Sequence, residues 1–152
     1  MKWYYKKTLL LILFYALAGM TLQSVLLAHA VDQDASRRED AQSEVDSLCK
    51  EIESLVSKTI PESSYSYSME LKPNGNNVTA RVTSFFGGKS HRTQRFTLPG
   101  RYTFRVRKSA GTGYLIQFKS KEYWNLGLYD EATANSLRDK LTHLNTMLRR
   151  TR

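Results

Sequence analysis

Residues 65–71 read Tyr-Ser-Tyr-Ser-Met-Glu-Leu, residues 78–83 Val-Thr-Ala-Arg-Val-Thr and residues 93–98 Thr-Gln-Arg-Phe-Thr-Leu. Apolar side chains recur at every second position, so an extended chain would have one apolar and one polar face. Turn-forming clusters bound the stretches: Pro-Asn-Gly-Asn-Asn at 73–77, Gly87-Gly88 and Pro99-Gly100. The same period continues through Tyr102, Phe104 and Val106, and through Tyr114, Ile116 and Phe118. A last short strand is expected over 123–128. Five or six antiparallel strands follow, each apolar on one side only.

A one-sided sheet needs cover, and two amphipathic helices flank it. Val45, Leu48, Ile52, Leu55 and Val56 recur at helical spacing after a capping Ser36 or Ser43, and Pro61 closes the region. Ala134, Leu137, Leu141, Leu144 and Leu148 mark the face of a second helix. Asp130 stands where its N-cap belongs, and Arg149, Arg150 and Arg152 suit its C-terminal dipole. The chain is therefore expected to be α+β: an N-terminal helix, a twisted antiparallel sheet of five to six strands, and a C-terminal helix packed on it. The sheet is either open or curled into a half-barrel. One such domain accounts for residues 43–152, preceded by a polar stretch over 31–42 that is a linker or a frayed helix start.

The first 30 residues differ in kind. Lys2, Lys6 and Lys7 precede a run from Thr8 to Leu27 without a charge, and Ala28-His29-Ala30 has small residues at the spacing of a cleavage site. This is the pattern of a secretory signal peptide, cleaved after Ala30. The alternative is an uncleaved anchor. Residues 8–30 would span about 30 Å of hydrocarbon as a helix, with the lysines held on the cytoplasmic side. Both readings place the domain outside the cytoplasm: in the periplasm or secreted, or on the outer side of an inner membrane crossed once.

The chain has a formal net charge of +9, concentrated in the strand region: residues 62–121 carry eleven basic and two acidic side chains. Alternation puts Arg81, Arg95, Arg105, Arg107 and Lys119 on the polar face of the sheet, together with many threonines. If the third and fourth strands form a hairpin, their apolar residues share a face only when the connection holds an odd number of residues, which predicts a three-residue connection, Pro99-Gly100-Arg101, or a bulge at its edge. That register sets Arg95 opposite Arg105 and Thr93 opposite Arg107. Like charges directly across a ladder are unfavourable by some tenths of a kcal/mol, a cost that binding an anion would relieve. The bland alternative is a solvated face covered by arginine stems.

Little points to catalysis. Cys49 is the one cysteine, so no internal disulfide can form, and its place beside the apolar stripe predicts burial. His91 lies among Lys89, Arg92 and Arg95, a setting that suits neither a metal ligand nor a carboxylate-oriented base. No Cys/His spacing fits zinc and no Gly-x-Ser-x-Gly elbow occurs. No cofactor or metal is expected. Tyr65, Tyr67, Tyr102, Tyr114 and Trp124 read first as core, with a small apolar ligand as the alternative. The expected function is a non-enzymatic envelope interaction module, such as an assembly factor, inhibitor or immunity-type protein. It would present its basic face to an acidic protein surface or an anionic envelope component; export makes nucleic acid a poor partner. The alternative is a membrane-tethered subunit of a secretion or transfer complex.

Overall fold

The computed structural model describes residues 33, 35–61, 63–111, 113–119 and 123–150; the side chains of 119, 123 and 124 are outside the description. The signal-peptide or anchor segment, 1–30, lies wholly outside the described residues. Among the described residues no helix is long and apolar enough to cross a membrane. Helix α1 covers 35–56, so the stretch over 35–42 is helical. Six strands follow: β1 (Tyr65–Asn74), β2 (Asn77–Phe86), β3 (Lys89–Leu98), β4 (Thr103–Lys108), β5 (Tyr114–Lys119) and β6 (Tyr123–Tyr129). Helix α2 (Glu131–Arg150) ends the described chain. Residues from Glu44 onward form one compact unit.

The strands pair as two three-stranded antiparallel sheets, β1-β2-β3 and β4-β5-β6, rather than as the single sheet expected. The predicted hairpin between β3 and β4 is not formed. Gly100 in the connection is instead held by α2: its N–H donates to Asn145 Oδ1 at 2.9 Å, and its carbonyl accepts from Asn145 Nδ2 at 3.3 Å and from Arg149. A connection tied to a helix is not free to close a two- or three-residue turn. The tight turns lie elsewhere. Gly87 and Gly88 both have positive φ (55° and 77°), the conformation a type I′ hairpin demands.

Packing joins the two sheets. The Phe96 ring of β3 lies 5.1 Å from that of Phe118 on β5, and Phe118 lies 5.9 Å from Phe104 on β4. Around these rings a single cluster gathers Val45, Leu48, Cys49, Ile52 and Val56 of α1, the inward residues of the strands, and Ala134, Leu137, Leu141, Leu144 and Leu148 of α2. Burial contributes about 1.5–3 kcal/mol for each large apolar side chain, well beyond what helix propensity alone supplies. Cys49 is 3 % exposed. Burial first, then the charges of Glu53 and Asp46, push its thiol up to about 11. At neutral pH it is therefore an unreactive apolar filler.

Polar contacts also fix α1. The Leu71 N–H on the outer edge of β1 donates to Glu53 Oε1 at 2.6 Å. Lys140 of α2 pairs with Glu51, and His143 Nε2 lies 3.6 Å from Glu44 Oε1. Among the described residues no buried side-chain nitrogen or oxygen lacks a hydrogen-bond partner.

Asp130 caps α2 as expected. Oδ1 accepts from the Thr133 N–H at 2.8 Å and Oδ2 from the Thr133 hydroxyl at 2.7 Å, and these bonds hold the carboxyl below its ordinary value. Asp130→Ala is expected to cost about 1 kcal/mol in urea unfolding at neutral pH. A lowered folded-state pKa gives stability that is present above the unfolded value, near 4, and lost as pH falls through the folded one. The gap between wild type and variant should therefore close in acid. A gap of the same size at pH about 2 would show that the carboxylate charge has no part in the cap.

Candidate anion-binding surface

The polar faces of the two sheets follow from the strand registers. On β2 and β3, Val78, Ala80 and Val82 point inward beside Phe96 and Leu98, which turns Thr79, Arg81 and Thr83 outward beside Thr93, Arg95 and Thr97. Arg81 and Arg95 are direct partners across the β2–β3 ladder, and both are exposed. Thr83 and Thr93, the next pair along, have hydroxyl oxygens 3.2 Å apart. The expectation that Arg95 faces Arg105, and Thr93 faces Arg107, is thus corrected. The opposed pair is Arg81 and Arg95, while Arg105 faces Gln117 and Arg107 faces Leu115.

The five basic residues singled out in the sequence are therefore divided. Arg81 and Arg95 belong to the first sheet. Arg105 and Arg107 are exposed on β4 of the second, where Phe104 and Val106 take the inward positions. Lys119 pairs with Thr103 in the backbone register; its side chain is outside the described residues. The division is not legible in the sequence because alternation specifies which face a side chain takes but not which strand lies alongside.

One carboxylate enters the first group. Glu70 on β1 is the register partner of Arg81, so a row runs Glu70, Arg81, Arg95 across the three strands. The Lys72 ammonium lies 3.0 Å from Glu70 Oε1 and holds that carboxyl below its ordinary value, through its hydrogen bond first and its charge second. Arg81 and Arg95 act in the same direction. Lys72 and Glu70 stand two positions apart on one strand, hence on one face. The patch of Lys72, Glu70, Arg81 and Arg95 is a net +2 surface whose one acid is already engaged. Among the described residues neither Arg81 nor Arg95 is within ion-pair distance of a carboxylate.

Such a surface can do one kind of chemistry. Two guanidinium groups on neighbouring strands, with threonine hydroxyls beside them, can donate to carboxylate or phosphate oxygens. Among the described residues no group of three or more His, Cys, Asp or Glu side chains is placed to hold a metal ion. Glu70 was visible in the sequence as one of very few acids in the strand region, and alternation put it on the polar face. Only the register reveals that it sits beside Arg81. No family model, no curated protein and no solved structure matches the chain.

Proposed function

We propose that this protein is a non-enzymatic interaction module of the cell envelope that presents the Arg81–Arg95 surface to an acidic protein partner or an anionic envelope component. The observation that carries the reading is the like-charge pair set directly across the β2–β3 ladder. Opposed like charges destabilise a sheet by some tenths of a kcal/mol, and an anion placed between them removes that cost. Arg105 and Arg107 on the second sheet offer a further cationic strip. The charge-free segment behind Lys2, Lys6 and Lys7 supports export, with the leader cleaved after Ala30. Its 23 uncharged residues over 8–30 also favour a second form of the same reading: a tethered subunit of an envelope secretion or transfer complex.

Retention of the protein on immobilised polyglutamate, followed by salt elution, tests the surface. Arg81→Gln with Arg95→Gln should elute at clearly lower salt than the charge-matched control Arg37→Gln with Arg38→Gln, two exposed arginines of α1, with an unchanged or raised melting temperature. Equal elution of the two double variants would reduce the effect to net charge and remove the site. The N-terminal residue of the protein recovered from its host decides the tether: Val31 for a free module, Met1 for an anchored one.

A further inference from the structure

On the opposite, inward side of the first sheet the apolar lining stops short of the strand ends. Beyond Met69, Val82 and Phe96, the inward positions pass to Tyr65 and Tyr67 on β1, Ser84 on β2, and Gln94 and Arg92 on β3. These side chains border an open cleft of about 290 Å³ with Val82 in its lining, and Asn125 of β6 contributes from the second sheet. The volume is at the small end of ligand sites and suits a molecule of monosaccharide size.

The backbone has a feature at this place. The β2–β3 register shifts between Ser84 and Phe85: Ser84 pairs with Arg92 and Phe85 with Ser90, which leaves His91 as an extra residue on β3. In a regular strand His91 and Arg92 would point to opposite faces. A bulge re-aims side chains, and here both residues line the same cleft. Arg92 is also braced. With the Gln94 amide oriented to satisfy its neighbour, its oxygen accepts from Arg92 Nη2 at 2.9 Å and Nε at 3.1 Å. One edge of the guanidinium is thereby occupied and the remaining N–H groups are left for a ligand. Tyr65 is 38 % exposed, and its ring centroid lies 5.0 Å from that of Phe86 and 5.8 Å from that of His91, the planes tilted by 42° and 60°, which groups the three rings as an aromatic shelf at the rim. No carboxylate is among the described residues that line the cleft.

We propose that this bulge cleft is a binding site for a small, hydroxylated ligand bearing an oxyanion, either a carboxylate or a phosphate on a sugar-like body. Arg92 and His91 donate to the oxyanion. The phenols of Tyr65 and Tyr67, with the Asn125 amide, serve the hydroxyls, and the aromatic shelf receives the apolar face of the ring. The site lies on the opposite side of the sheet from Arg81 and Arg95 and does not depend on the role proposed for them. Its openness leaves much of a ligand solvated, so affinity is expected in the millimolar to upper micromolar range.

The test is NMR titration of the full-length protein with glucuronate, glucose 6-phosphate and neutral glucose. At least one anionic probe should saturate, with shifts centred on residues 65–67, 84 and 91–94; which of the two binds more tightly assigns the oxyanion. Glucose should bind at least about tenfold more weakly. Arg92→Gln should weaken the anionic probe by about tenfold or more with an unchanged melting temperature, and Arg92→Lys should restore part of the loss. Arg81→Gln with Arg95→Gln should leave this binding intact. Failure of both anionic probes to saturate, equal binding of glucose, or undiminished binding by Arg92→Gln would each overturn the proposal.

Discussion

Tyr129→Ala is expected to cost about 3–5 kcal/mol, and so to leave the domain at the edge of unfolding, since small domains have only about 5–15 kcal/mol in hand. Tyr129 is fully buried at the end of β6, and its hydroxyl donates to the Val56 carbonyl at 3.0 Å, across 73 residues of sequence. Val56 is the last residue of α1. A helix ends with carbonyls that have no partner within it, so the phenol satisfies one of them inside the core. One step before, the Leu128 carbonyl accepts from the Ile60 N–H at 2.9 Å, and together the two bonds fasten the exit of α1 to β6. The packing there leaves no slack: a Cβ added at Gly127 would come within 3.0 Å of the Thr59 and Tyr67 side chains and 3.1 Å of the Tyr129 ring. Tyr129→Phe keeps the ring and removes only the hydroxyl. It should cost about 1–3 kcal/mol, the penalty for a buried carbonyl left without a donor.

The same residue predicts an alkaline limit. Burial, with a smaller contribution from Tyr67, pushes the Tyr129 phenol well above its ordinary value. A raised folded-state pKa gives stability that is present below the unfolded value, about 10, and lost as pH rises toward the folded one. Urea midpoints should fall above that pH in the wild type, and less steeply in Tyr129→Phe. Parallel pH profiles for the two proteins would refute this assignment and leave alkaline loss to Tyr67, Tyr114 and Cys49, whose pKa values are also raised.

Elements and faces could be read from the sequence because each is a local property. Alternation over Tyr114–Lys119 marks the strand and assigns Ile116 and Phe118 to the core, and both are buried. Asp130 before a helical stripe is a cap in one dimension as in three. Strand neighbours are not local. A two-period pattern is satisfied by any partner of matching parity, so Arg95 could be set beside Arg105 with no conflict visible in the sequence. The bulge at His91 is hidden for a related reason: one extra residue changes only the pairing. Gln94 and Arg92 did leave a sign, because they hold inward slots that an uninterrupted core would fill with apolar side chains. Polar residues on the core side of a strand mark where the core ends and, here, where a cleft begins.

Asn145 carries the same signal on a helix. It stands four residues after Leu141 and three before Leu148, squarely in the apolar stripe of α2, and it is only 6 % exposed. A buried amide persists only with partners. Asn145 has both a donor and an acceptor bond to Gly100, the residue that parts the two sheets. Gly100 itself has no room to vary, since a Cβ there would lie 2.1 Å from the Tyr102 ring. Asn145→Leu preserves volume and apolar character yet strands the Gly100 N–H, at an expected cost of about 1–3 kcal/mol. Stability alone would not separate this from a packing fault, so amide exchange is the sharper measurement. The Gly100 amide should exchange faster by a factor of about ten or more, while amides in the β1–β2 ladder change only as global stability does. Protection of Gly100 equal to wild type would mean that Arg149 and the local turn hold the connection unaided. If instead exchange spread into β3 and β4 together, the Asn145 bracket would be what keeps the two sheets in their separate pairings, and the division of the arginines between them would rest on that one amide.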